Sequence, residues 1–257
     1  MSHHRLRAGH VSAALVLVLA SATACGPAED AATTSKTGSA PAARPSGAAS
    51  DGATAAAPNG VEKLPAAGVL SRARKATAAA RFLRMRGNIE DGKDKFALDF
   101  RYAGRTKATG WFQQGKQRVE ITRIGKDVYL KGNNAFWKAI GGKGAVQLFS
   151  GKQLKTTTRA ADFKDLAGFT DRTAIFNEAV KSVGTWKTAG TGTVGGTPAV
   201  RLTGAPGEEI HVATRGAPYV LRVDGGPGNR IEYLDYGKPV DVRRPPAGTV
   251  VDGDAFQ

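Results

Sequence analysis

Between residues 80 and 132 apolar and polar side chains alternate with a period of two, in short runs separated by glycine turns. Leu83, Met85 and Ile89 share one face of the first run, with Arg84 and Arg86 on the other. Asp91-Gly92 marks a hairpin, and the next run sets Phe96, Leu98, Phe100 and Tyr102 opposite Lys95, Asp99 and Arg101. Thr106 to Gln114 reads as a third strand, followed by a Gly115-Lys116 turn. Val119 and Ile121 then alternate with Arg118 and Glu120, and Gly125-Lys126 leads into Val128 and Leu130. Alternation in successive hairpins predicts an antiparallel meander with one apolar face.

The pattern changes on either side of this run. Small and apolar residues from Pro65 to Ala80 predict an opening helix. Asn133 is placed to cap a short helix carrying Phe136, Trp137 and Ile140, and Val146, Leu148 and Phe149 continue its apolar character. Asp171 is placed to cap another, with Ile175, Phe176, Ala179 and Val180 at helical spacing. Alternation resumes in five runs, Trp186–Thr193, Thr197–Thr203, Glu208–Ala213, Tyr219–Asp224 and Arg230–Tyr236, before an extended tail containing Pro245-Pro246. A long sheet with one apolar face needs a cover, and helices are available to supply it. The fold class expected is α+β: a strongly curved antiparallel sheet, a half-barrel, with helices packed in its concave face.

The first 60 residues follow different rules. His3, His4, Arg5 and Arg7 precede an apolar run from Val11 to Ala20, too short to span a bilayer, which takes about 20 residues. Ala22-Thr23-Ala24 then sets small residues before Cys25, the chain's only cysteine. This resembles a bacterial lipobox, with Ala22 where leucine is usual, and predicts a signal peptide over 1–24 and a lipid anchor on Cys25. Two or more acyl chains give stable anchoring where one is marginal. In residues 26–60, 29 of 35 positions are Ala, Gly, Pro, Ser or Thr, and no Val, Ile, Leu or aromatic residue occurs. Such a composition buries too little apolar surface to offset its ordering entropy, so a disordered tether over 25–60 is expected, joined to a folded domain over 61–257.

The chain carries 37 Lys+Arg against 22 Asp+Glu, a formal charge of +15. That excess favours anionic partners. On the strands the cations alternate with apolar residues, as the solvated face of a sheet would. Toward an anionic envelope surface each cation near the headgroups adds ~1 kcal/mol. Nucleic acid is not an expected partner for an extracytoplasmic protein. One cysteine excludes an internal disulfide framework and cysteine-based zinc sites.

Motifs for chemistry are weak. Gly110 to Lys116 has Walker-loop spacing, but Gln117 stands where a magnesium-binding Ser or Thr would be, and the context is a hairpin. Gly190-Thr191-Gly192-Thr193-Val194-Gly195 matches a dinucleotide fingerprint by letter, with a strand after it rather than a helix. His211 is the only histidine after the leader and alternates with Ile210 and Val212, which predicts a surface-facing imidazole. No catalytic residue, metal site or cofactor is expected, and the chain reads as a non-enzyme.

Two segments carry a family likeness. Gly125-Lys126-Asp127-Val128-Tyr129-Leu130-Lys131-Gly132, with Ala135-Phe136-Trp137-Lys138 after it, resembles a recurrent segment of the LppX/LprAFG-like lipoproteins. Pro218-Tyr219-Val220-Leu221-Arg222-Val223, with Asp235-Tyr236-Gly237-Lys238-Pro239-Val240 after it, is a second such stretch. The resemblance implies a half-barrel like that of the LolA/LolB carriers. It also implies a protein anchored on the extracytoplasmic face of the cell membrane that holds an acylated lipid or glycolipid, as carrier or chaperone. Residues then expected to line the lipid cavity are Met85, Ile89, Phe96, Leu98, Phe100, Val119, Ile121, Val128, Leu130, Phe136, Ile175 and Phe176. The other reading of the same residues is a solid core in a structural or sensory lipoprotein that binds a protein partner.

Overall fold

The computed structural model describes residues 56–91, 93–180 and 185–253. Cys25, the leader and nearly all of the expected tether lie outside the described residues. Every helix and strand named here lies within the unit at Ala53–Gln257.

Helix α1 (Ala66–Ala79) is followed by five strands: β1 (Phe82–Asp91), β2 (Asp94–Ala103), β3 (Lys107–Gln114), β4 (Gln117–Ile124) and β5 (Asp127–Gly132). Helix α2 (Asn134–Phe149), β6 (Gln153–Thr157), α3 (Lys164–Gly168) and α4 (Arg172–Ala179) form the middle. Then come β7 (Lys187–Val194), β8 (Thr197–Thr203), β9 (Glu208–Ala213), β10 (Val220–Gly225), β11 (Arg230–Leu234) and β12 (Val250–Asp252). All twelve strands join one sheet in the order β12-β6-β5-β4-β3-β2-β1-β11-β10-β9-β8-β7, so the fold is α+β with a large sheet and few helices.

Register puts the alternating apolar residues in rows across the strands. One row runs Tyr233, Met85, Phe100, Gly110, Ile121, Leu130, Leu154. Apart from Gly110, every member is buried. At ~1.5–3 kcal/mol for each large apolar side chain removed from water, such rows are the main stabilisation of a fold without disulfides. The helices cover this face. Phe169, after α3, stacks on Phe112 at 4.6 Å and on Phe100 at 6.2 Å. Phe176 of α4 meets Tyr233 edge-on at 6.0 Å. Tyr102 Oη donates to the Phe169 carbonyl at 2.7 Å, which fixes the α3–α4 connection over β2. At α1, Thr77 Oγ1 accepts from the Val220 amide at 3.1 Å.

Several expectations are corrected. The two blocks of five strands gain β6 and β12, which the polar string Gln153-Leu154-Lys155-Thr156-Thr157 and the proline-rich tail conceal. The sheet is mixed, not purely antiparallel, because the tail returns along the edge of β6 and pairs with it in parallel. The capped helix at Asn133 is not a short one ending at Ile140. It runs to Phe149 across a break at Gly141 and Gly142. Residues 56–60, expected to belong to the tether, are tied to the turn after β9, where Asn59 Nδ2 donates to the carbonyls of Ala213 and Gly216 at 3.0 Å.

Candidate functional site

Helix α2 starts where its sequence predicts. Asn133 Oδ1 accepts from the Phe136 amide at 2.9 Å, while its Nδ2 donates to the Lys116 carbonyl at 2.8 Å. One side chain therefore caps the helix and pins its first turn to the β3–β4 hairpin. Phe136 and Trp137 then turn inward over Gly132, where a Cβ would lie 2.2 Å from Phe136 Cδ1. The helix breaks at Gly142, whose φ of 66° and ψ of −151° suit almost no residue but glycine. The break throws Lys138, Ala139, Ile140 and Gly141 out as an exposed elbow.

Beneath the elbow lies an open groove of about 580 Å³, walled by Trp137, Ile140, Leu148 and Phe149 of α2, by Leu154 of β6 and by Phe163. Ile140 at 51% and Leu148 at 38% are the exposed large hydrophobic residues among the described residues, and both line it. Its volume falls within the ~300–1,000 Å³ range of small-molecule sites. Trp137 is 1% exposed, stacks on Phe149 at 4.4 Å and meets Phe136 edge-on at 4.9 Å. Its indole N–H is buried without an acceptor. Arg159 and Asp162 stand among the groove's polar lining.

The twelve residues expected to line a cavity lie in or against the core. Met85, Leu98, Phe100, Val119, Ile121, Val128, Leu130, Phe136 and Phe176 are buried in the core cluster. Ile89 and Ile175 are half-buried against it, and Phe96 is half-buried and stacks on Phe112 at 5.4 Å. None of the twelve walls the groove, but Trp137, Phe149 and Leu154 belong to the same core cluster. Helical spacing flagged Ile140 and Leu148 as apolar. Their exposure depends on the Gly142 break, which periodicity does not register.

The exposed face of the sheet carries cross-strand ion pairs. Arg84 binds Asp99 through both carboxylate oxygens, Arg86 Nη2 meets Glu232 at 2.8 Å, and Lys131 faces Glu120 at 3.7 Å. His211 is on this face but is 9% exposed, a correction to the surface-facing imidazole. Its Nε2 lies 2.9 Å from Arg222 Nη2, 3.1 Å from Glu209 and 3.7 Å from Asp224. Glu209, His211 and Asp224 bring three potential metal donors within 4.8 Å of one another. Arg222 and Arg230 already engage Asp224, and Arg201 engages Glu209, so a dication would meet a surplus of positive charge. The group reads as a cross-strand ion ladder.

Burial, and then the neighbouring Arg222 charge, hold the His211 pKa below its ordinary 6.5, with the two carboxylates offsetting part of the shift. A base depressed in the folded state is protonated first in the unfolded chain. Stability is therefore lost as pH falls from about 6.5 toward the lowered folded value. His211→Gln should remove that component, at most about 1.4 kcal/mol per pH unit, and leave stability above pH 7 nearly unchanged. Urea titrations of both chains between pH 5 and 8 check this, and parallel curves would show that His211 titrates alike in both states.

The Walker-spaced and dinucleotide-like stretches lie in the β3–β4 and β7–β8 hairpins, with no helix start at either. No helix among the described residues is long and apolar enough to cross a membrane. No family model and no curated protein matches the chain. Among solved structures, a chain of the Pseudomonas aeruginosa MucA/MucB complex aligns at 14% identity and a TM-score of 0.30, over 67% of this chain and 55% of its own length.

Proposed function

We propose that the chain is an envelope lipoprotein, held on the extracytoplasmic face of the cell membrane through Cys25, whose folded unit binds the acyl part of a lipid or glycolipid as carrier or chaperone. The anchor rests on the solitary Cys25 after Ala22-Thr23-Ala24. Lipid binding rests on one observation above all: Ile140 and Leu148, large and exposed, converge on a single apolar groove. Folded proteins rarely gather such residues without something to cover them. An acyl chain lying there borders Trp137, Phe149 and Leu154, members of the core cluster that also holds Leu130 and Phe136.

The finer fold reading, a sheet bent into a half-barrel around its helices, is part of this proposal. Gly87 and Gly110 support it. A Cβ at Gly87 would lie 2.0 Å from the Arg230 carbonyl oxygen, and one at Gly110 would lie 2.2 Å from that of Asp99. Strand glycines approached this closely by backbone are typical of tight bends in a coiled sheet.

The test has two arms. Cys25→Ser should move the protein from the membrane to the soluble fraction, and an unchanged distribution would remove the anchor. Solvent extraction of the purified wild type should yield lipid well above a non-binding control. Ala145→Trp, which fills the groove from its α2 wall, should reduce that yield at least tenfold. Because the groove is open, the substitution should escape most of the ~1–3 kcal/mol that overpacking a filled core costs. No lipid on the wild type would leave the groove as a docking site for a protein partner.

A further inference from the structure

The groove's outer wall is shared with a second feature. Ala135, Lys138 and Ala139, on the other flank of the same helical segment, wall an open basin of about 640 Å³. The opposite walls are Lys93, Asp94 and Lys95 at the start of β2, and Gln114 to Gln117 around the β3–β4 turn. Four lysines, Lys93, Lys95, Lys116 and Lys138, thus face one concavity with a single acid, Asp94. Lys95 is paired with Glu90 at 2.9 Å, and Asp94 accepts from Gln114 Nε2 at 3.0 Å. Lys93, Lys116 and Lys138 are exposed and form no ion pair among the described residues, nor does Lys143 on the far side of the elbow.

This arrangement is unlike the rest of the surface. On the sheet face Arg84, Arg86 and Arg230 meet acids across the strands, and Arg222 meets Asp224 along its own strand. Helix α1 carries Arg72, Arg74 and Lys75, which form no ion pair among the described residues, but no exposed large hydrophobic residue lies on it. Only at the α2 elbow, among the described residues, do unpaired lysines flank exposed Ile140 and Leu148. Aliphatic side chains bordered by lysines are the composition of a surface that inserts shallowly at a lipid headgroup boundary. The lysines complement anionic headgroups, and the aliphatics gain by leaving water.

We propose that the elbow of α2, with the lysines of the adjoining basin, is a docking surface for an anionic lipid bilayer, so that the groove mouth is presented at the membrane. The surface does not require a lipid to occupy the groove. Its attraction is electrostatic at range and apolar on contact.

The full chain carrying Cys25→Ser serves for the test, with sedimentation on vesicles of equal parts phosphatidylglycerol and phosphatidylcholine, and on phosphatidylcholine alone. Binding is expected to the first and not the second. It should fade between 0.1 and 1 M salt as the screening length shrinks from ~10 to ~3 Å. Lys93→Gln, Lys116→Gln and Lys138→Gln together should weaken it about 100-fold, from about fivefold per cation. Ile140→Ser with Leu148→Ser should weaken it about tenfold or more. The charge-matched set Arg72→Gln, Arg74→Gln and Lys75→Gln should stay within about threefold of the parent, roughly the scatter of unengaged surface charge. Equal losses from the two charge sets, equal binding to neutral vesicles, or no binding at low salt would each overturn the proposal. Extracted lipid is read separately: its absence with vesicle binding intact defeats the groove reading and leaves this one standing.

Discussion

Arg172→Met should lower the unfolding free energy by about 3–6 kcal/mol, from two hydrogen bonds to a charged group at ~1.5–3 kcal/mol each. Arg172 is the first residue of α4 and is 7% exposed. Its Nη1 donates to the Ala80 carbonyl at 2.6 Å and its Nη2 to that of Ala78 at 2.9 Å, at the end of α1. That helix has no basic residue in its last turn, so the cation facing its negative end comes from α4. Methionine would fill much of the same space and leave both carbonyls without this donor. Burial lowers the Arg172 pKa from its ordinary value, yet a guanidinium stays charged under working conditions. Arg172→Lys, with a single ammonium in place of the fork, should recover about half of the loss. Urea denaturation with an unchanged m-value is the measurement. A loss below about 1 kcal/mol would show that these carbonyls are satisfied by solvent, at the level of an ordinary exposed contact.

Arg172 also marks the limit of what the chain's pattern discloses. Alternation in 83–130 is enough to place β1 to β5 and the buried face, because an antiparallel sheet with one covered side imposes period two on its sequence. Asn133 and Asp171 are legible as caps because the geometry of a helix start favours those side chains. Asp171 Oδ1 does accept from the amides of Thr173 and Ala174, at 2.9 and 3.2 Å. Strand β6 is not legible: only Leu154 is a strong apolar signal, and the inward Thr156 is a buried polar residue. Strand β12 has three residues and exists through its pairing with β6, about a hundred positions earlier.

The site is less legible than the fold. Periodicity identifies which face Val128 or Phe100 occupies, but a packed core and the wall of a cavity use the same residues. What separates them is the space left between elements, and the groove is built from α2, β6 and Phe163, whose juxtaposition no local pattern encodes. The glycines at 141 and 142 would ordinarily weaken a helix. Here they let α2 continue in a new direction and expose Ile140 at the bend.

Trp137 allows the packing and binding roles of that region to be separated. Trp137→Ala should cost about 3–5 kcal/mol, the usual range for removing a buried aromatic side chain. It would empty the space between Phe136 and Phe149, both of which contact the indole. Trp137→Phe keeps an aromatic ring there and deletes a buried N–H that has no acceptor. Leaving such a donor unsatisfied costs ~1–3 kcal/mol, so its removal should offset much of the lost packing, and a net change within about 1 kcal/mol is expected. Tryptophan N–H groups usually find a partner when buried. The N–H is buried, so an acyl-ester carbonyl in the groove is an acceptor of the right chemistry only where the wall opens toward the indole. Trp137→Phe should then reduce extracted lipid severalfold while melting stays near that of the wild type. Equal lipid in the two chains would assign the indole a packing role alone, and its orphaned N–H would be a cost the core carries for the stack on Phe149.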